Sequence, residues 1–209
     1  MAAHQDEPRA PAGQRGRRAR PRAAAAAQKK ARAGRIDLLY LDECGFSPTQ
    51  PTGYSWALRG TRKLVRFENP VRRRVNALVA YRPLGLRPGL RYRVQPRTLT
   101  ADDVVGLLRR LPSGTRPCVV VLDNVGIHVA NRVRKAARAL RHRGLTLFYL
   151  PAYSPELNDV EAVLEVLKGY ELPERSFSTL DELLAAVRRA LRRHHLRLRY
   201  PGQHPCPGA

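Results

Sequence analysis

The stretch Leu150-Pro-Ala-Tyr-Ser-Pro-Glu-Leu-Asn-Asp-Val-Glu161 decides the fold of this chain. Just before it, residues 145–150 form an apolar run that is long enough for a buried strand and too short for most helices. Two prolines then end the strand, because proline has no backbone N–H to donate to a sheet. Asn158 is a favourable helix N-cap, and Glu161 follows it at the spacing of a capping box. The sequence therefore predicts a strand, a turn and a helix with a carboxylate in its first turn.

Two other apolar runs end in an aspartate, namely Leu38-Leu-Tyr-Leu-Asp42 and Val119-Val-Val-Leu-Asp123. Taken singly, each Asp is equally well explained as a turn or capping residue, and Glu161 alone is more often a capping-box residue than a metal ligand. If the two strands are neighbours in one sheet, however, their Asp side chains emerge at the same edge, where Glu161 arrives from a helix. Three carboxylates in this arrangement suit Mg²⁺ or Mn²⁺, which prefer oxygen ligands.

Four motifs occur in a fixed order along the chain. They are Asp42-Glu-Cys-Gly-Phe46, Gly53-Tyr-Ser-Trp56 with Gly60, Asp123-Asn124 with Ile127-His128, and residues 150–158 with Glu161. Together they resemble the signature of DDE transposases, in particular the bacterial insertion-sequence branch of the mariner-type superfamily. The resemblance covers about residues 35–195. It implies a ribonuclease-H-like fold in which two Asp and one Glu hold two divalent metal ions, Mg²⁺ or Mn²⁺.

Carried over position by position, the resemblance makes three residues both catalytic and metal-binding: Asp42, Asp123 and Glu161. Glu161 follows Asp123 by 38 positions, which is close to the family's short second spacing. The chain departs from the family at Asp159, where a proline is usual, and at Leu164, where an aromatic residue is common. Asp159 adds a second acid near the predicted site, but Glu161 keeps the family register and is the predicted ligand.

The predicted fold class is α/β, a ribonuclease-H-like fold with a mixed five-stranded sheet flanked by helices. Periodicity and turn residues place the strands at residues 36–42, 71–81, 90–94, 118–123 and 145–150. Cap residues and apolar stripes predict helices that begin after Thr100, cover residues 130–143, and begin at Asn158 and at Ser178.

The chain is predicted to divide into a low-complexity basic tail (residues 1–34), a catalytic domain (35–198) and a C-terminal tail (199–209). The N-terminal tail has almost no large apolar residue, so it cannot bury enough surface to offset the entropy of ordering. It is therefore predicted to be disordered, with a frayed helix over residues 22–32.

The chain carries 39 Lys and Arg against 17 Asp and Glu, a formal net charge of +22. This excess favours polyanionic partners, nucleic acid first, although part of it reflects a compositional bias towards Arg and Ala. The basic helix over residues 130–143 is the predicted phosphate-contacting surface, with Trp56 as a base-stacking residue and His128 near the cleaved phosphate. The alternatives are a solvated helix, a packed tryptophan and a structural histidine. The predicted DNA contacts are Arg132, Arg134, Lys135, Arg138, Trp56 and His128.

Cysteine usage and hydropathy bear on the cellular location. The three cysteines have no metal-ligand spacing and are predicted to be reduced thiols. No apolar run approaches the roughly 20 residues that span a bilayer, and the N-terminus has no apolar signal-peptide core. The predicted location is the bacterial cytoplasm, in association with the nucleoid, and no membrane partner is expected.

The resemblance implies DNA transposition, in which metal-dependent strand cleavage at the element's end is followed by attack of the freed 3′-hydroxyl on target DNA. Nothing before Arg35 resembles the helix-turn-helix modules with which family members recognise their ends. The chain is therefore expected to be a catalytic half, either a truncated copy or the second product of a split reading frame. Its expected partners are double-stranded DNA, a separate N-terminal helix-turn-helix half and a second copy of the chain. The alternatives are a nuclease of the same fold and a weakly active or inactive basic DNA-binding remnant.

Overall fold

The computed structural model describes residues 23–49, 58–61, 64–84, 88–111, 115–151, 157–172 and 175–202. Within them lie five strands: β1 (Asp37–Phe46), β2 (Val75–Arg82), β3 (Gly89–Gln95), β4 (Cys118–Leu122) and β5 (Leu145–Tyr149). The same residues form six α-helices: α1 (23–32), α2 (Ala101–Leu108), α3 (Gly126–Val129), α4 (Asn131–Leu140), α5 (Val160–Val166) and α6 (Leu180–Arg199). A 3-10 turn (Arg141–Arg143) extends α4, and a π-helical turn (Leu167–Glu171) extends α5.

The five strands form one mixed sheet in the order β3-β2-β1-β4-β5. β1 pairs with β2 and β2 with β3 in antiparallel fashion, whereas β4 is parallel to both β1 and β5. The crossover from β4 to β5 passes through α3 and α4, because parallel neighbours need a long connection. The mixed five-stranded sheet flanked by helices that the sequence predicts is confirmed.

β1 is longer than the sequence predicts. The predicted strand ends at Asp42, but β1 continues to Phe46 and pairs with β2 as far as Phe46↔Val75. Cys44 and Phe46 are buried in this extension. Their burial and the pairing with β2 outweigh the turn tendency of Gly45. Asp42 therefore lies inside a strand rather than at its end.

The sheet has a hydrophobic layer on each face, because successive side chains of a strand point in opposite directions. On one face, Tyr40, Cys44 and Phe46 of β1 pack with residues of α5 and α6. On the other face, Leu39 and Leu41 pack with residues of α2 and α4. A one-residue slip of β1 would exchange the two sets, so burial on both faces fixes its register.

Helix α1 packs onto the sheet, whereas the sequence predicts a frayed helix in this segment. Ala31 is only 3% exposed, and the side-chain amide of Gln28 donates to the Tyr40 hydroxyl at 2.8 Å. Small alanines let the helix approach closely enough for these contacts. Residues 1–22 of the predicted tail lie outside the described residues, and the division of the chain at residue 34 stays a prediction.

Two predicted helix caps are wrong by one residue. The N-cap of α5 is Asp159 rather than Asn158. The N-cap of α6 is Thr179 rather than Ser178, and the Thr179 hydroxyl accepts from the Glu182 backbone N–H at 3.1 Å. Asn158 leaves the cap because its side chain hydrogen-bonds across the fold to Asp42.

Helix α6 lies against the edge strand β3. Nδ1 of His195 accepts a hydrogen bond from the backbone N–H of Leu90 at 3.0 Å. Gly89 has φ +151° and no side chain, and a Cβ there would lie 2.7 Å from the His195 ring. The glycine therefore allows the close approach. None of the described helices is long and apolar enough to cross a membrane.

The start of α2 holds a buried carboxylate. The Asp103 side chain is 2% exposed and forms ion pairs with Arg93 at 2.9 Å and with Arg97 at 2.8 Å. It also accepts the backbone N–H of Thr100 at 2.9 Å, which completes the capping box. The hydrogen bond from Arg97 is the main reason that the pKa of Asp103 lies well below its usual range.

We expect Asp103→Ala to lower the free energy of unfolding by about 2–3 kcal/mol, because it removes a cap and charge-assisted hydrogen bonds together. Urea unfolding at neutral pH measures this loss. The low pKa in the folded state means that the stabilisation is present above the unfolded pKa of about 4. The difference between wild type and variant should therefore shrink as the pH falls below about 4.

Asp102→Ala is the matched control, since this neighbouring side chain is 61% exposed. Asp102→Ala should lower the free energy of unfolding by about 0.5 kcal/mol, which is the usual contribution of an exposed charge in the first turn of a helix. Equal losses for the two variants would show that Asp103 acts only as a surface charge.

Candidate active site

Asp42 lies on β1, and Asp123 directly follows the neighbouring parallel strand β4. The two strands are paired in register up to Leu41↔Leu122, so each aspartate is the next residue after the last pair. The prediction that the two Asp-bearing strands are neighbours is confirmed. On its other side, Asp42 pairs with Val79 of β2, so the carboxylate projects from the middle of the sheet.

The Asp42 carboxylate is held at both oxygens. Oδ1 accepts the backbone N–H of Glu43 at 2.7 Å, and Oδ2 accepts the side-chain amide of Asn158 at 3.1 Å. Burial raises the pKa of Asp42 to about 6, and the charges of Asp123 and Glu161 add to this rise. The three acids are therefore near enough for each of the other two to act on Asp42.

Asp123 is held by a buried histidine. Nδ1 of His128 lies 2.6 Å from Oδ1 of Asp123, and the His128 side chain is 0% exposed. Burial lowers the pKa of His128 despite the opposing effect of Asp123. Because a carboxylate only accepts hydrogen bonds, the neutral ring donates through Nδ1. The buried ring therefore orients Asp123, and the DNA contact predicted for His128 stays a prediction.

Glu43 is a fourth acid at the site, and the sequence analysis did not select it. It follows Asp42 directly, so it points to the opposite face of the sheet, towards α3. Its Oε2 lies 3.5 Å from Nε2 of His128, and neither atom has a hydrogen-bond partner among the described residues. The pKa of Glu43 is raised to about 7, mainly by burial and to a smaller extent by the negative charges of Asp42 and Asp123. Two adjacent acids in one strand were the signal available in the sequence.

The two acids at the start of α5 face different groups. Glu161 is close enough to Asp42 to raise its pKa. Asp159 accepts a hydrogen bond from the Tyr40 hydroxyl and lies near Arg32; burial is the main cause that raises its pKa. This difference favours Glu161, and not Asp159, as the third acid of the site.

Lys168 brings a cation to the same site, and sequence reasoning missed it. Its charge lowers the pKa of Asp42 and, together with a hydrogen bond to the thiol, that of Cys44, although burial outweighs both effects. Lys168 lies seven residues after Glu161, which places both on one side of the helical segment. This helical spacing was the only signal in the sequence.

The donor set fits a hard divalent cation such as Mg²⁺ or Mn²⁺. Asp42, Asp123 and Glu161 supply carboxylate oxygens, which these ions prefer. Among the described residues, no three His, Cys, Asp or Glu side chains are already grouped closely enough to hold a metal ion. Neighbouring carboxylates repel each other, and a cation between them relieves this repulsion. The metal-binding roles of the three acids stay a prediction.

The predicted DNA contacts on α4 lie at the surface. All four basic side chains are exposed: Arg132, Arg134, Lys135 and Arg138. Arg132 forms an ion pair with Asp102, whereas Arg134 and Arg138 line a groove beside β5. Trp56, the predicted stacking residue, lies outside the described residues. The roles of the α4 side chains in DNA binding stay predictions.

A mixed sheet in this strand order, with two acids at its central parallel strand pair and helices on both faces, has the ribonuclease-H-like architecture. Residues 37–184 match the family described as DDE superfamily endonuclease. The chain belongs to this family. No curated protein sequence matches it.

Solved structures of the Mos1 mariner transposase share the fold. The paired end complex with Mn has a TM-score of 0.54 at 17% identity, and the pre-cleavage transpososome has 0.53 at 17%. The strand transfer complex has 0.52 at 18%. Each match covers 95% of this chain and 64% of the Mos1 chain, so the chain spans less than two thirds of the length of these transposase chains.

We expect Asn158→Asp to lower the free energy of unfolding at neutral pH by about 2 kcal/mol more than Asn158→Ala. It replaces the buried amide that donates to Asp42 with a second carboxylate, and like charges repel strongly where water is excluded. Urea unfolding of the two variants measures the difference. Equal losses would show that the amide merely fills space.

Proposed function

We propose that this chain is the catalytic domain of a DNA transposase of the bacterial insertion-sequence branch, which cleaves DNA strands at element ends and transfers them to target DNA. The observation that carries the proposal is the in-register pairing of β1 and β4, which sets Asp42 beside Asp123 within electrostatic reach of Glu161. Membership of the DDE superfamily endonucleases supports it. The Mos1 structures support it further, since they are described as complexes with a transposon end, with Mn and with Mg.

Asp42, Asp123 and Glu161 would hold two divalent ions, Mg²⁺ or Mn²⁺, which when bound stabilise the attacking and leaving oxygens of phosphoryl transfer. The carboxylates suit this role because they neutralise cations without competing as nucleophiles. Asn158 and the Glu43 backbone N–H occupy one hydrogen-bonding position on each oxygen of Asp42. The remaining lone pairs stay available for a cation.

His128 and Lys168 support the acids in different ways. His128 fixes Asp123 through a 2.6 Å hydrogen bond, so this carboxylate does not have to be ordered when substrate arrives. Lys168 puts a positive charge beside Asp42. In the proposed reaction, this charge attracts the phosphate that is to be cleaved.

Double-stranded DNA is the proposed partner, and the exposed cations of α4 are proposed to contact its phosphates. Such contacts fix position without reading sequence. We further propose that the enzyme acts on the nucleoid in the bacterial cytoplasm. A helix-turn-helix half and a second copy of the chain stay predictions.

Two rival functions are separable by experiment. A nuclease of the same fold would hydrolyse DNA without joining ends, so purified chain incubated with a pre-cleaved end and a target plasmid distinguishes it from a transposase. An inactive DNA-binding remnant would show neither reaction and would gain no stability from Mn²⁺.

We expect Asp123→Asn to reduce Mn²⁺-dependent cleavage of a labelled duplex by at least about 10³-fold. The loss of a charged ligand weakens the binding of the cations that stabilise the reacting oxygens. The asparagine keeps a hydrogen-bond acceptor for His128, so folding should persist. DNA binding should remain, since the variant removes a negative charge. The matched control is Asp159→Asn, which alters the neighbouring acid that faces Tyr40 and should retain most of the cleavage rate. Cleavage by Asp123→Asn at the wild-type rate would remove the site assignment.

Mn²⁺ should raise the melting temperature of the wild-type chain, because a ligand that binds only the folded state stabilises it. At about 100 times its dissociation constant, the gain is about 2.7 kcal/mol per site, or roughly 5–10 °C. Differential scanning fluorimetry measures the shift. Asp42→Asn should abolish most of it, and a similar shift in this variant would place the ion elsewhere.

A further inference from the structure

A groove lined by arginines lies along the edge strand β3, at the opposite edge of the sheet from α4. Three separate elements contribute to its walls: β3, the turn after α2, and the exposed side of α6. The lining residues are Tyr92, Arg93, Val94, Gln95, Arg110, Arg188, Arg189 and Arg192. No acidic residue is among them, so the groove concentrates positive charge.

Most of this charge is unpaired. Arg93 is bound to Asp103 at 2.9 Å. For the other arginines of the groove, Arg110, Arg188, Arg189 and Arg192, the described part of the chain supplies no carboxylate partner, and all four are exposed. Like charges that converge from three elements repel each other. This arrangement is unfavourable for the free protein and becomes favourable when a polyanion enters.

The groove lies along the β3 edge of the sheet, two strands from β1, and one of its lining residues points to the same face as Asp42. Tyr92 of β3 is in register with Val79 of β2, which is in register with Asp42. Directly opposed residues of antiparallel strands point to the same face. Two strand spacings of about 4.8 Å separate β3 from β1, so Tyr92 lies about 10 Å from Asp42 along the sheet. The direct line between them is covered by the core under α6, so DNA would have to reach the groove around the β3 edge; a distance of about 10 Å corresponds to about three phosphate steps of 3.4 Å along a DNA strand.

The spacing of the arginines suits a nucleic-acid backbone. Arg188 and Arg192 are one helical turn apart on α6, a rise of about 6 Å. One strand of DNA carries a phosphate every 3.4 Å or so along the axis, so about 6 Å matches two steps. Several guanidinium groups in a row bind such a ladder of phosphates better than a single small anion, and their planar forks match phosphate oxygens.

We propose that this arginine groove binds the phosphate backbone of double-stranded DNA beside the cleavage point. The inference rests on the proposed function, because it takes the duplex at Asp42 as its starting point. The groove is a second DNA contact, separate from the α4 surface. It holds the substrate by charge and does not read its sequence.

The test compares two triple variants that remove the same charge. Arg188→Gln, Arg189→Gln and Arg192→Gln empty the groove, whereas Lys29→Gln, Lys30→Gln and Arg35→Gln remove three exposed charges from α1 and the segment after it. Fluorescence anisotropy with a labelled duplex in metal-free buffer gives the affinity at several NaCl concentrations. Binding is thus measured without cleavage.

The groove variant should make the negative slope of log K against log[salt] shallower by about 2.7, from three lost contacts at about 0.9 each. The ratio of the wild-type affinity to the variant affinity should therefore fall by about 40-fold between 50 and 200 mM salt. The α1 control should change the slope by much less. Arg→Lys at the same three positions should restore most of it, because the charge is kept.

Three outcomes would contradict DNA binding by the groove. They are an unchanged salt slope in the groove variant, an equal change of slope in the α1 control, and tighter binding of RNA than of DNA by the wild-type chain. If the triple variant melts at a lower temperature, Arg189→Gln alone replaces it, with an expected slope change of about 0.9. Failure of the proposed function is distinguishable. If the wild-type chain cleaves DNA but the groove variant keeps the wild-type salt slope, only the groove proposal is rejected. If the groove variant has a shallower slope but the wild-type chain does not cleave, the transposase proposal is rejected and DNA binding by the groove is retained.

Discussion

The in-register parallel pairing of β1 with β4 is the constraint on which the rest of the structure depends. It brings together two aspartates that are far apart along the chain, at positions 42 and 123. Both strands are buried between helical layers, so a slip of one residue would turn Asp42 to the wrong face and misplace the core side chains at the same time. The free energy of the core thereby also fixes the geometry of the site.

The same constraint has an electrostatic cost, because it places like charges in a partly desolvated site. The neighbouring groups reduce this cost from both faces of the sheet. On the α5 face, the Asn158 amide holds Asp42, and Lys168 lies nearby. On the α3 face, His128 holds Asp123 and approaches Glu43. The acids are thus oriented by neutral or cationic partners, which leaves their remaining oxygens for cations.

Positive charge lies at both edges of the sheet, with the acids between them. The α4 cations lie beside β5, and the arginine groove lies along β3, the strand at the other end of the sheet order. The two positive surfaces also belong to different helical layers, since α4 packs on one face of the sheet and α6 on the other. Part of the net charge of +22 is therefore concentrated at the two edges of the sheet, a distribution that composition alone could not reveal.

The sequence by itself determined the order of the strands and most of the helices, and it predicted the three acids, because the period of apolar residues and the motif order are local properties of the chain. It did not determine that Asn158 leaves its capping position for Asp42, that His128 is buried against Asp123, or that Glu43 joins the site. These contacts join residues that lie on different elements or on opposite faces of one strand. Only the tertiary structure decided them, because a side chain with a good local hydrogen bond gives it up when burial offers a charged partner that would otherwise lie unsatisfied.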